Sequence, residues 1–463
     1  MPKLPPRITE ASAVVPSERQ LAWQALEFYA FVHFGINTFT GREWGAGDED
    51  PALFQPEKLD CRQWAKVLRA AGMRGMILTC KHHDGFCLWP SRQTQHSVAA
   101  SPWKNGQGDV VREAAAACRE FGLAFGVYLS PWDRHEPSYG KGEAYNAFFK
   151  AQLRELCTNY GELFAVWFDG ACGEGKSGRK QAYDWQGYYD IVRELQPNAV
   201  IASFGPDVRW VGNEAGVCRS SEWSVVPEGL LQSDNGKSNW DLGSRKALRK
   251  ARGQALVWYP AEVDVSLRQG WFYHEKEVYS VKPLSKLRDI YYKSVGANAS
   301  LLLNVPPGPD GLLHERDVEV LISLGAQLRI DFKEDLAEGS AITDSCHADS
   351  AHTGQKILEP GGYWHSGPLD QPAELVLDLG DDYDIDKIAL KEHIATGQQI
   401  EKFSLWYDEN TGVLGQNKWR LLERGTIIGH KRLIRFNERR VRRFKLRIEA
   451  CRGFATLEGW EAY

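Results

Sequence analysis

The chain has 463 residues, 43% hydrophobic and 25% charged, which suits a soluble globular protein with more than one domain. Its 61 acidic against 56 basic residues give a formal charge of −5, so the chain as a whole offers no electrostatic footing for nucleic acid or an anionic membrane. Seventeen tryptophans are a high count; indole faces serve both as core filler and as stacking platforms for sugar rings.

The cysteines are 9 in number, an odd count, and no CxxC pair occurs. Several sit inside apolar patterns, as Cys80 does after Met76-Ile77-Leu78-Thr79. They read as buried free thiols in a reducing compartment, not as a disulfide framework or a zinc site. The start, Met-Pro-Lys-Leu-Pro-Pro-Arg, is followed by no apolar signal-like stretch, and no uncharged run approaches the ~20 residues a membrane span needs. A cytoplasmic location without a membrane partner is the expectation.

From about residue 20 to 332, short apolar runs alternate with helical patterns. Residues 28–34 form the first strand candidate. Asp60 caps a helix whose Trp64, Leu68 and Ala71 recur at three-to-four spacing, and Gly72 ends it. The strand 75–79 follows, then a helix over 110–121, a strand over 123–129 and a helix over 145–160. The run Leu163-Phe164-Ala165-Val166-Trp167-Phe168 reads as a strand buried on both faces, and it ends on Asp169-Gly170. A carboxylate does not belong inside such a strand. At its carboxyl end it can project into a pocket as a nucleophile or base, or more plainly cap the next helix or pair with an arginine. A helix over 183–195 and a strand over 199–203 come next. Strand candidates at 255–259 and 300–305 follow, the latter preceded by a helix over 284–295. Two strands are hard to find between 205 and 299.

Repeated β-α units imply a parallel sheet. Polar clusters follow most of the strands, and no Gly-rich dinucleotide fingerprint is present, which favours a barrel over a doubly wound sheet. The expected fold is α/β: an N-terminal, irregular (β/α)8-like barrel over residues 1–335 and a C-terminal antiparallel β-sandwich over 336–463. In the second part Leu375, Leu377 and Leu379, then Phe403, Leu405 and Tyr407, then Phe444, Leu446 and Ile448 recur at period two. The run Arg439-Arg440-Val441-Arg442-Arg443 has the charge of a nucleic-acid patch, but it falls in an alternating strand and reads better as a solvated face. The sandwich is expected to shore up the barrel; separate carbohydrate binding is the alternative.

In a barrel the loops after the strands gather on one face. They would bring together His33, Glu43 and Trp44; His82, His83 and Asp84; Tyr128; Asp169; and Glu214, in the glycine-flanked loop after the fifth strand. Two readings of this cluster compete. In one, neutral groups grip sugar hydroxyls, Trp44 stacks on a ring, and Asp169 and Glu214 form a paired-carboxylate glycosidase site. In the other, His33, His82, His83, Asp84 and Asp169 ligate a divalent metal. Adjacent His82 and His83 on extended chain would point to opposite sides, which weighs against the metal.

The strings Phe31-Val32-His33-Phe34-Gly35, Glu43-Trp44, Lys81-His82-His83-Asp84-Gly85-Phe86 and Trp167-Phe168-Asp169-Gly170 resemble the α-L-fucosidases of glycoside hydrolase family 29, as do Leu301-Leu302-Leu303-Asn304-Val305-Pro306-Pro307 and Asp310-Gly311. The resemblance implies a retaining hydrolase without cofactor or metal, acting on fucosylated oligosaccharides. Asp169 matches the nucleophile. Glu214, in Gly212-Asn213-Glu214-Ala215-Gly216, resembles the acid/base of the subfamily selective for α-1,3/1,4-linked fucose on Lewis-type branches, with Glu222 as the competing candidate. His33, Glu43, Trp44, His82, His83 and Tyr128 match substrate contacts, and Glu262, Arg268 and Trp271 resemble further ones, Trp271 suiting the C6 methyl of fucose. The alternatives are a broader α-L-fucosidase that also cleaves α-1,2 linkages and a non-catalytic fucose-binding protein.

Overall fold

The structure, a computed structural model, describes residues 6–175, 177–231, 245–409 and 418–463. Eight strands form one parallel sheet: β1 (Phe28–Val32), β2 (Gly75–Lys81), β3 (Ala124–Leu129), β4 (Ala165–Phe168), β5 (Val200–Ser203), β6 (Arg209–Trp210), β7 (Ala261–Ser266) and β8 (Ala299–Asn304). Their spatial order is β5-β4-β3-β2-β1-β8-β7-β6, and a parallel bridge from Ala202 to Val208 brings β5 back to the residue before β6. The sheet is therefore a nearly closed barrel.

The apolar runs read as strands because both faces of each are covered. Tyr29, Phe31, Ile77, Tyr128, Ala165, Trp167, Val200, Ala202 and Leu302 point inward and form a core of their own. Their neighbours Ala30, Val32, Met76, Leu78, Val127, Val166, Phe168, Ile201, Leu301 and Leu303 pack outward against the helices. The helix Cys61–Ala70 begins where the Asp60 carboxylate accepts from the backbone N–H of Arg62 and Gln63 at 2.9 and 3.1 Å, and it buries Trp64 and Leu68. The helix Val110–Phe121 is capped in the same way by Asp109 and ends on Gly122, whose φ of +67° suits glycine.

The barrel is irregular, and in one place the sequence reading needs correcting. Residues 204–208 join β5 to β6 with no intervening helix. The expected strand at 255–259 lies outside the barrel: Leu256–Trp258 pairs antiparallel with Val225–Pro227. The barrel strand begins just beyond Pro260, which interrupts the run. Its inward positions carry Glu262, Asp264 and Ser266, so a search for apolar runs passes over it.

Beyond the helix Glu315–Asp331 the chain enters a six-stranded antiparallel sheet with its own core. Leu375, Leu377, Phe403, Leu405, Phe444, Leu446 and Ile448 pack there against Trp364 and Leu457 of a small two-stranded sheet. The basic run lies in the strand Arg432–Cys451, where Val441 is buried and Arg440, Arg442 and Arg443 pair with Asp384, Asp378 and Asp408. Among the described residues no helix is long and apolar enough to cross a membrane.

Candidate active site

A cavity of about 240 Å³ opens at the carboxyl ends of the barrel strands, floored by the inward rings of Phe31 and Trp167. Asp169 stands one residue beyond β4 and lines it. Both its oxygens are held: Oδ2 accepts from the Tyr128 hydroxyl at 2.8 Å and Oδ1 from the Ala171 N–H at 2.8 Å. Burial, then the charge of Asp169, pushes the Tyr128 phenol well above its ordinary value, so it remains a proton donor.

The loop after β2 brings both adjacent histidines to the cavity, contrary to the expectation that they diverge. The strand ends at Lys81; His82 and His83 sit where the chain turns, with ring centroids 4.0 Å apart. His83 Nδ1 lies 2.7 Å from Ser130 Oγ, whose proton goes to the Trp132 carbonyl at 2.7 Å. His83 Nδ1 is thus the donor, leaving Nε2 as an acceptor 3.8 Å from Asp169 Oδ2. His33 Nδ1 donates to Asn304 Oδ1 at 2.8 Å, which again leaves Nε2 free to accept. Burial holds all three imidazoles neutral: His33 falls to about 3, His82 well below its ordinary value, and His83 is also lowered. Neutral rings with free acceptor nitrogens suit hydroxyl donors. His82, His83 and Asp169 also bring ligand-type atoms within 4.8 Å of one another, so the same groups are the candidate cation site.

Trp44 is 56% exposed at the rim, edge-on to His83 and to Trp132 at 5.5 Å, so an indole face stays open. Trp271 lines the opposite part of the cavity near His33, at 5.1 Å between rings. Glu43 does not line the cavity. Its carboxylate accepts from the N–H groups of Trp271 and Phe272 at 2.8 and 3.1 Å and contacts His274 Nε2 at 2.6 Å, which pins the segment carrying Trp271.

Glu214 lies in the loop after β6, not after the fifth strand, and an antiparallel bridge ties its neighbour Ala215 to Val265 of β7. It lines the cavity, and Trp271 Nε1 donates to its Oε2 at 3.2 Å. Its carboxyl is raised by burial and then by the negative charges of Asp169 and Glu43. The competing Glu222 is 1% exposed and does not line the cavity. Arg209 and Arg219 hold it at 2.6 and 3.0 Å and keep it below the usual carboxylate range despite burial. A carboxylate so compensated has no proton to give.

Two expected contacts belong to the scaffold. Glu262 is buried below the cavity, accepting from Trp167 Nε1 at 2.7 Å and from the Tyr29 hydroxyl, and burial pushes it up to about 7. It orients Trp167 and does not line the cavity. Arg268 is also wholly buried and absent from the cavity wall, its guanidinium bound to Asp317 at 2.9 Å and stacked on Tyr273. A buried cation needs such a partner. Arg268→Met strands Asp317 and is expected to lower unfolding free energy by about 3–5 kcal/mol. In urea melts and kinetics, the surviving folded enzyme should keep its KM within about threefold, since no substrate contact is lost.

The sequence reading missed Asp264, which is 4% exposed, lines the cavity and accepts from Trp210 Nε1 at 2.6 Å. Burial, above all, holds it well above the usual carboxylate range. A signal was present: Glu262, Asp264 and Ser266 alternate with valines at period two, the pattern of a strand with a polar inner face.

Comparison with known proteins agrees with this geometry. A family model described as Alpha-L-fucosidase matches residues 25–332. The chain is 41% identical to Alpha-L-fucosidase 1 of Arabidopsis thaliana, over 95% of this chain and 85% of that protein. Among solved structures, a glycoside hydrolase family 29 member from an unknown rumen bacterium superposes with a TM-score of 0.81 at 41% identity, over 97% of this chain and 77% of that one. A family 29 fucosidase of Ruminococcus gnavus, solved in complex with fucose, gives a TM-score of 0.86 at 31% identity, over 97% and 95% of the two chains. On this match across the barrel and along nearly the whole sequence, the chain belongs to the alpha-L-fucosidase family, glycoside hydrolase family 29.

Proposed function

We propose that this α-L-fucosidase is exo-acting and retaining, and that it removes α-1,3/1,4-linked L-fucose from Lewis-type branched oligosaccharides. The observation that carries the mechanism is the carboxyl pair in one cavity: Asp169 fixed by Tyr128 and the Ala171 N–H, and Glu214 with its affinity for a proton raised. Asp169 attacks the anomeric carbon while Glu214 protonates the departing glycosidic oxygen, so a fucosyl–Asp169 ester forms as the glycosidic bond breaks. Glu214, now ionised, takes a proton from water as the water oxygen attacks the same carbon and releases Asp169. The neutral His33, His82 and His83 accept from sugar hydroxyls, and Trp271 faces the apolar C6 methyl. The linkage preference rests on the likeness of residues 212–216 to the α-1,3/1,4-selective subfamily.

A second reading rests on His82, His83 and Asp169 as cation ligands. One experiment separates the readings: time-resolved fucose release from a Lewis a/x-type trisaccharide and from a 2-linked fucosyl oligosaccharide, each with and without EDTA. Release from the branched trisaccharide is expected to be at least ~100-fold faster, a discrimination of about 3 kcal/mol, and indifferent to EDTA. Comparable rates on both would overturn the linkage assignment. Activity lost to EDTA would overturn the two-carboxylate mechanism, and no release from either would leave only fucose binding.

A further inference from the structure

Glu214 sits on an exposed loop, yet general acid catalysis needs its carboxyl placed to within a fraction of an ångström of its working position. Besides the Ala215–Val265 bridge and the Trp271 bond to Glu214, the loop is held where it returns to the barrel. On the near side is Arg209 of β6, five residues before Glu214; on the far side is Glu222. The Arg209 guanidinium donates to Glu222 Oε2 at 2.6 Å and to the Trp223 carbonyl at 3.1 Å, which joins the two ends of the loop through a buried ion pair. Each residue of 220–224 is then held from outside the loop. Arg432 donates to the Ser220 carbonyl at 2.9 Å, and Ser221 contacts Thr426 through their hydroxyls. Asn298 Nδ2 donates to the Glu222 carbonyl at 2.7 Å. The Arg452 guanidinium lies over the Trp223 ring at 4.7 Å, and the Ser224 N–H donates to Gln398 at 2.8 Å. Four of these partners belong to the C-terminal region. The fifth, Asn298, accepts at Oδ1 from the His430 N–H at 2.7 Å, so it too is fixed by that region. Asn298 adopts φ +64°, a left-handed conformation that points its amide between the two domains.

We propose that the C-terminal sheet is a working part of the active site: through Asn298 and Arg432 it locks the segment 220–224, and with it the Glu222–Arg209 staple, so that Glu214 is held against the leaving oxygen. These are positioning residues, acting through Glu214, and the proposal rests on the acid/base assignment given above.

The test is Asn298→Gly, which keeps the left-handed backbone without strain while deleting the side-chain amide's bonds to the Glu222 carbonyl, the Ser224 hydroxyl and the His430 N–H. Arg432→Met is a second variant, removing the guanidinium that donates to the Ser220 carbonyl. Each is assayed on the Lewis-type trisaccharide, whose leaving oxygen needs a proton, and on α-L-fucosyl fluoride, whose small leaving group does not. The kcat/KM for the trisaccharide is expected to fall about tenfold or more while that for the fluoride changes by less than about threefold. The basic limb of the trisaccharide pH profile should move to lower pH, because a carboxyl released toward solvent gives up its proton more readily. Parallel losses on both substrates, or no loss on either in variants that melt like the parent, overturn the proposal. Glu214→Gln is the control: if it shows no trisaccharide-selective loss, the acid/base assignment itself fails, a result distinct from failure of the two positioning variants.

Discussion

Asp169→Gly is expected to abolish hydrolysis of fucosyl oligosaccharides, with kcat reduced on the order of 10⁴-fold or more, because under the proposed double displacement the step that forms the covalent intermediate loses its attacking atom. The fold should survive. Asp169 lies beyond the last residue of β4 with a partly exposed side chain, and its partners Tyr128 and the Ala171 N–H then face an open cavity where water can take its place. The decisive readout is stereochemical. With α-L-fucosyl fluoride and azide, the small anion can enter the space left by the carboxylate, form the C1–N bond on the face opposite fluoride and expel fluoride. Retention as the native mechanism requires this product to be β-L-fucosyl azide, seen by NMR. Undiminished turnover, or no azide adduct together with full hydrolysis, would remove Asp169 from the nucleophile's role.

The parts of this molecule that could be read from the sequence are those where one residue type does one job. Strands β1 to β5 and β8 are covered on both faces largely by apolar partners, so each carries a legible apolar run, and polar residues just after them, such as His33, Asp169 and the His82-His83 pair, stand out. Strand β7 stayed hidden because its inner face serves the site: Glu262 and Asp264 are buried by way of Trp167, Tyr29 and Trp210, partners distant in sequence. Strand β6 is Arg209–Trp210 alone, shorter than any periodic pattern. Arg268 shows the limit in another way. Whether a cation meets a substrate or a carboxylate depends on a partner 49 residues on in the sequence, Asp317, which local spacing does not reveal. The two histidines were misjudged geometrically because the strand ends at Lys81, and period-two alternation stops with it.

Replacing Glu214 tests the other half of the mechanism. Glu214→Ala is expected to lower kcat/KM for the Lewis-type trisaccharide by roughly 10²–10⁴-fold and to leave the formation of the intermediate from fucosyl fluoride far less affected. The pH dependence follows from the sign of the shift. Burial and the charges of Asp169 and Glu43 raise the carboxyl, so it stays protonated to higher pH than an exposed glutamate, and activity on the trisaccharide falls as pH rises through its value in the folded enzyme. In the alanine variant that basic limb should vanish from the profile. With base assistance gone, water attacks the fucosyl–Asp169 ester slowly, and azide, which needs no deprotonation, should accelerate turnover. Because azide here displaces Asp169 from the intermediate after one inversion has already occurred, the product is α-L-fucosyl azide, opposite to that from Asp169→Gly. Opposite anomers from the two variants would assign nucleophile and acid/base without reference to any relative. The same anomer from both would show that at least one of the two carboxyls has been given the wrong role, and Asp264, the remaining acid in the cavity wall, would be the group to substitute next.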